Sequence, residues 1–263
     1  MINSMQTAII KKDLRSVTAN KRLFPVLLIV PFVLTVILPL IFILAIHFAP
    51  DDMGDLQKML DLLPSSRQLD TMSRTLMSLI LNSIIPIFFM ITPIMAASVM
   101  AASSFVGEKE KRTLETLLYG PLSLKQVFTS KVLASFILSM VVSFASFLVM
   151  LVVVETAVIL TTGSMLLPDI SWLVTMLVVS PAVSLLAITL IVSGSAKAQT
   201  MEESQQRAVF LVLPLLLLIV GQFTGVILIN AWFLLGVGVV FAILALFSMK
   251  SSMRKFSYEI LLK

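Results

Sequence analysis

The sequence predicts an all-α integral membrane protein with six transmembrane helices, opened by an amphipathic helix. Three observations carry that class: 59% of the 263 residues are hydrophobic and 13% charged, the mean hydropathy is +1.07, and the apolar residues are gathered into long runs. A soluble domain of this size would have to expose large apolar patches. Each run instead approaches or exceeds the roughly 20 residues that a helix needs to cross about 30 Å of hydrocarbon.

Met5, Ile9, Ile10 and Leu14 recur at helical spacing among Lys11, Lys12, Asp13 and Arg15. This predicts an interfacial amphipathic helix, although a short soluble cap fits the same pattern. The first span is expected at about 23–46. It is too long for an ordinary signal-peptide core and no small-residue cleavage site follows it, so it reads as an uncleaved helix. Pro25, Pro31 and Pro39 predict kinks within it. The polar stretch that follows carries Asp51, Asp52, Asp55, Asp61 and Asp70, with a short helix expected before Pro64.

The second span, about 75–105, contains Pro86 and Pro93 and ends in Ala96, Ala97, Ser98, Ala101, Ala102, Ser103 and Ser104, small residues that let helices approach closely. A charged connection over 107–131 follows, in which Leu114, Leu117 and Leu118 line one side of a short helix that Gly120 and Pro121 stop. Ser123 and Gln126 form a capping box that opens the next helix. The third span is expected at about 132–160, with Glu155 near its far end, and the fourth at about 171–192, with Trp172 as an interfacial anchor. Thr200 and Glu203 read as a second capping box ahead of the fifth span, about 208–229. Asn230 then marks a tight turn into the sixth, about 231–249, with Trp232 as another anchor. The whole chain, 1–263, reads as one transmembrane domain.

Basic residues orient the chain. With both termini cytoplasmic, sixteen of the 19 Lys and Arg lie inside and three outside. That excess is the positive-inside pattern, and an odd number of spans would place one basic terminus outside. A multi-pass plasma-membrane location follows. The net charge of +5 is explained by this asymmetry, with no aromatic-interleaved patch for nucleic acid.

Composition also excludes chemistry. One His and no Cys remove most ways of building zinc, haem or iron–sulfur sites, and no cofactor is expected on this chain. There is no G-x-x-x-x-G-K-[ST] loop, no H-E-x-x-H and no G-x-S-x-G, so neither ATP hydrolysis nor proteolysis resides here. Glu155 is the one ionisable residue within an expected span. A solvated position near the span end accounts for it better than ion coupling.

The stretch 107–131 reads Gly-Glu-Lys-Glu-Lys-Arg-Thr-Leu-Glu-Thr-Leu-Leu-Tyr-Gly-Pro-Leu-Ser-Leu-Lys-Gln-Val-Phe-Thr-Ser-Lys. It resembles the first cytoplasmic segment of type-2 ABC transporter permeases, where a charged run, a Thr-x-Glu-x-Leu-Leu element, a Pro-Ser/Thr step and a later Lys precede the third span. The hydropathy layout is similar over nearly the full chain. The outer loop is short compared with the large external domains of some members, which speaks against an external receptor domain.

The resemblance implies an exporter subunit that pairs with a second permease copy or paralogue and with a dimer of separate ATPases that use the ATP. Its substrate is undetermined among drugs, peptides, lipid-linked compounds and sodium. By resemblance, Glu108, Glu110, Thr113, Glu115 and Leu118 belong to the helix that meets the ATPase, and Glu202 and Glu203 to a second contact; a solvated charged loop is the alternative for both. The segment 5–15 resembles the family's elbow helix, while Lys11, Lys12 and Arg15 read as contacts to anionic membrane lipids. Asn82, Ser83, Ser98 and Glu155 are candidate pore or helix-interface residues, and plain helix packing explains them equally well. An autonomous carrier or channel and a non-transporting scaffold are the competing functions.

Overall fold

The computed structural model describes residues 3–21, 23–48, 72–111, 113, 121–195, 198–224 and 229–255. Among these residues every regular element is helical. The helices are α1 (Ser4–Thr18), α2 (Leu23–Phe48), α3 (Arg74–Glu110), α4 (Leu124–Thr162), α5 (Ile170–Gly194), α6 (Met201–Gln206), α7 (Val209–Phe223) and α8 (Ala231–Lys255). Six stretches are long and apolar enough to cross a membrane: α2, α3, α4, α5, α6 continued into α7, and α8. Six crossings return the chain to the side on which it starts. The amphipathic helix α1 and the end of α8 therefore share one face, the terminal face.

Local chemistry sets the helix ends. Ser123 and Gln126 close the expected capping box, the Ser123 N–H donating to Gln126 Oε1 at 2.9 Å and the Gln126 N–H to Ser123 Oγ at 3.3 Å. This starts α4 eight residues earlier than hydropathy suggests. At 39 residues α4 is about 58 Å long and projects well beyond the hydrocarbon. It stops at Gly163, whose φ of 71° is a left-handed cap that glycine adopts without strain. The second box forms only by half. Thr200 Oγ1 accepts from the Glu203 N–H at 3.2 Å, but the Glu203 carboxylate reaches past Thr200 to the N–H of Gln199 at 2.8 Å.

The expected kinks take a specific form at three prolines. π turns occupy Val33–Ile37, Ile80–Ile84 and Thr175–Val179, each ending two residues before Pro39, Pro86 or Pro181. In each, the residue before the proline donates to the carbonyl five back: Leu38 to Val33, Ile85 to Ile80 and Ser180 to Thr175. A proline ring collides with the carbonyl four residues earlier and offers it no N–H. Widening the preceding turn relieves that collision.

α3 is the axis of the bundle. Its most apolar stretch is 83% buried inside the protein, against 17% for α8. The small residues expected to permit close contact do so: Ala96, Ala97, Ser98, Ala101 and Ala102 are all buried where α4 and α5 cross α3. α1 lies across the terminal end of α4, with Val17 packed among Leu27, Val99, Met100, Ala134 and Leu138. The outward faces of α2, α4, α7 and α8 stay apolar, as lipid or partner contact requires.

Candidate functional site

The terminal face holds four charged side chains in one network. On α1 the buried stripe is Gln6, Ile9, Asp13 and Val17, so a carboxylate occupies a position that its spacing reserves for apolar contact. Asp13 accepts a 2.5 Å hydrogen bond from Ser104 Oγ of α3. Lys131 of α4, wholly buried, donates from Nζ to the Ser104 carbonyl at 2.5 Å and to Glu108 Oε2 at 2.7 Å. It lies 3.6 Å from Asp13 Oδ2 and 5.6 Å from the Phe105 ring centre, a cation–π distance. The other oxygen of Glu108, Oε1, takes Lys12 Nζ of α1 at 2.5 Å. Glu108 is thus gripped by two lysines from two helices.

Two carboxylates and two ammonium groups cancel formally, which is the condition for burying them. Burial works to lower the pKa of Lys12, but the hydrogen bond and charge of Glu108, helped by Asp13, prevail and hold it above the ordinary lysine value. Removing one partner from a buried set strands the opposite charge, at a cost of about 3–5 kcal/mol. The network therefore fixes the register of α1 against α3 and α4. Gln6 adds a weaker tie, its Nε2 donating to the Gln126 carbonyl at 3.5 Å.

The other expected coupling residues divide. Glu110 Oε2 accepts from the Met201 N–H at 3.4 Å, and a Cβ on Gly107 would stand 2.8 Å from Met201 Sδ, so α6 rests on the terminal end of α3. Thr113 folds back, its N–H and hydroxyl donating to the Glu108 carbonyl at 2.9 and 3.3 Å. Glu115 and Leu118, with the helix expected around them, lie outside the described residues, as do Arg112 and the acidic loop carrying Asp51, Asp52 and Asp55. Glu203 caps α6 through Gln199 and Glu202 is exposed; neither joins the network.

The opposite end of the bundle is built differently. Glu155, expected to be solvated, is buried instead, its Oε2 accepting from the Leu166 N–H at 3.2 Å as the α4–α5 loop folds over it; Asn82 Oδ1 accepts from the Asp169 N–H at 2.9 Å, so two of the candidate pore residues pin that loop. Trp172 corrects an expectation. It is turned inward instead of anchoring the interface, 2% exposed, with Nε1 donating to the Leu81 carbonyl at 2.9 Å and its ring against Phe89 and Phe147. Trp232, 81% exposed, has the accessibility an anchor needs. Ser83 is buried, and Ser98 donates within its own helix to Ile94 at 2.6 Å.

Sequence reasoning missed Asp13 and Ser104 and left Lys131 as a motif position without a role. One signal was available: an aspartate at the i+4 position between Ile9 and Val17 sits on the apolar stripe, and a buried carboxylate demands a cation. Lys12, read as a lipid contact, is also an intramolecular partner of Glu108. Among the described residues no group of His, Cys, Asp and Glu could hold a metal ion.

Six apolar crossings around a proline-bent axis, with charge gathered at the terminal face, define a multi-pass membrane protein. The chain matches the family model of the ABC-2 family transporter proteins over residues 7–234 and belongs to that family. Comparison with curated proteins and with solved structures gave no match. Membership makes the chain a membrane-spanning permease of the ABC-2 type.

Proposed function

We propose that the chain, as a single permease domain over 1–263, is the transmembrane subunit of an ATP-driven exporter, working with a second permease subunit and two separate ATPase subunits. The terminal face is cytoplasmic in this reading, supported by the sixteen-to-three division of Lys and Arg. The segment 107–120 meets the ATPase, with Glu110, Thr113, Glu115 and Leu118 at the contact and Glu202 and Glu203 flanking it.

One observation carries the reading. Glu108 stands at the head of that segment and is clamped by Lys12 of α1 and Lys131 of α4. A displacement of the segment by the ATPase is therefore passed to α1 and α4 through short, charge-assisted bonds, the one to α4 buried. The elbow role of α1 follows from the same clamp. Asn82 and Glu155, tied to backbone N–H groups, serve the packing of the α4–α5 loop, and Ser83 and Ser98 that of α3.

The test is purification of the tagged chain from its native membrane in mild detergent, with quantification of co-purifying subunits and their ATP hydrolysis. A stoichiometric ATPase, lost when Glu110 and Glu115 are reversed in charge while the permease stays folded, is the expected result. A stable chain that never brings an ATPase contradicts the reading and favours an autonomous carrier or a scaffold.

A further inference from the structure

The face of α1 turned away from α4 carries a second feature. Lys11, Lys12, Arg15 and Ser16 border a shallow concavity of about 550 Å³ whose remaining walls are Ala8 and Ala19. Lys12 is bonded to Glu108, yet its side chain stays 54% exposed, whereas Lys11 and Arg15 form no ion pair among the described residues. Ser16 donates to the Asp13 carbonyl at 3.1 Å and so contributes room, together with the two alanines. Three cations around a floor of small side chains make a place for an anion.

Position identifies the anion. α1 ends at Thr18 and the first span begins at Leu23, so the concavity lies at the boundary of membrane and water. Beyond it, α2 presents Phe24, Val26, Leu28 and Ile29 outward to acyl chains. We propose that this concavity binds the phosphate of an anionic phospholipid headgroup. Arg15 offers the planar fork that phosphate oxygens accept in pairs, Lys11 a point charge one turn away, and Lys12 a shared cation. The ammonium group of Lys12 has three donors, enough for Glu108 and the phosphate together. The lipid thereby touches the charge network directly, and the composition of the surrounding leaflet bears on the grip that α1 keeps on α3.

The test compares melting temperatures of the full chain in phosphatidylcholine nanodiscs with and without phosphatidylglycerol. The wild-type protein melts higher in the anionic discs, and the Lys11→Gln/Arg15→Gln variant loses that rise while matching wild type in phosphatidylcholine alone. Equal melting of wild type in both discs, or a rise retained by the variant, overturns the site. Inorganic phosphate in phosphatidylcholine discs leaves melting unchanged; a rise with phosphate alone overturns the assignment to lipid. Should the variant fail to fold, native mass spectrometry of the wild-type protein decides: preferential retention of phosphatidylglycerol over phosphatidylcholine is expected, and equal retention refutes the proposal.

Discussion

The two ends of the bundle solve the same packing problem with different chemistry. At the terminal face, helices far apart in sequence are held by ion pairs, the buried Lys131 to Glu108 at 2.7 Å and the half-exposed Lys12 to Glu108 at 2.5 Å. At the opposite end, Glu155, Asn82 and Trp172 each bond a backbone group, and aromatic rings fill the space between. Asn82 and Trp172 make neutral polar bonds, whose loss orphans one dipole, and the buried Glu155 carboxylate faces a backbone N–H with no ion pair among the described residues. A buried ion pair cannot lose a partner so cheaply. The terminal face is therefore the end at which a small change in position has a large energetic consequence, which is what the proposed drive by a separate ATPase requires.

The largest expected effect comes from Lys131→Met, which leaves Glu108 and Asp13 facing each other without their buried cation. It should destabilise the protein by about 3–5 kcal/mol. Thermal unfolding in detergent checks this, and adding Glu108→Gln to Lys131→Met should restore part of the loss. A double variant no better than the single would break the claim that the charges act as a set.

Next comes the matched pair Glu108→Gln and Glu155→Gln. The first keeps the shape but removes the charge from between two lysines and should cost about 2–3 kcal/mol, the scale of a hydrogen bond to a charged group. The second removes a carboxylate that has no ammonium partner among the described residues and retains an oxygen for the Leu166 N–H, so it strands no cation and should cost about 1 kcal/mol or less. Equal losses, read from the same melting curves, would erase the distinction between the two ends.

Trp172→Phe removes the donor to the Leu81 carbonyl while keeping a ring against Phe89. About 1–2 kcal/mol is expected for a buried carbonyl left unpaired. A loss as large as that of Lys131→Met would show that the aromatic end is the stiffer one.

The smallest effect is that of pH. The folded-state pKa of Lys12 is raised above 10.5, its bond to Glu108 overcoming the cost of burial. A raised pKa stabilises fully below the unfolded value, so this tie persists through neutral and mildly alkaline solution and is lost only as pH climbs through the raised value. Because Lys12 is half exposed, solvent screening keeps the effect modest. Wild type and Lys12→Gln should differ slightly below about pH 10 and converge above the lysine range; a gap that widens with alkali would contradict the pairing.

How much of this was legible in the sequence follows from the range of the interactions involved. The spans, the helix over 4–18 and the box at Ser123 depend on residues within one or two turns, and hydropathy and capping rules reach that far. The Glu203 cap failed at the level of one bond, because a carboxylate can choose between adjacent N–H groups. Trp172 was misplaced because a tryptophan at the start of a span is compatible with either the lipid or the core until the neighbouring helices are known. The charge network joins residues 23 to 118 positions apart on α1, α3 and α4, and no local pattern pairs Asp13 with Lys131. What the sequence did hold was the anomaly of a carboxylate on an apolar stripe, a sign that a partner exists without its address.

The most direct measurement is ATP hydrolysis by the complex purified with Glu108→Gln against that purified with Glu155→Gln, each normalised to the ATPase that co-purifies. The account predicts that Glu108→Gln lowers hydrolysis by about tenfold, the equivalent of about 1.4 kcal/mol, with the ATPase still bound, and that Glu155→Gln leaves it near wild type. Unchanged hydrolysis at Glu108→Gln, or equal losses at both positions, would contradict it.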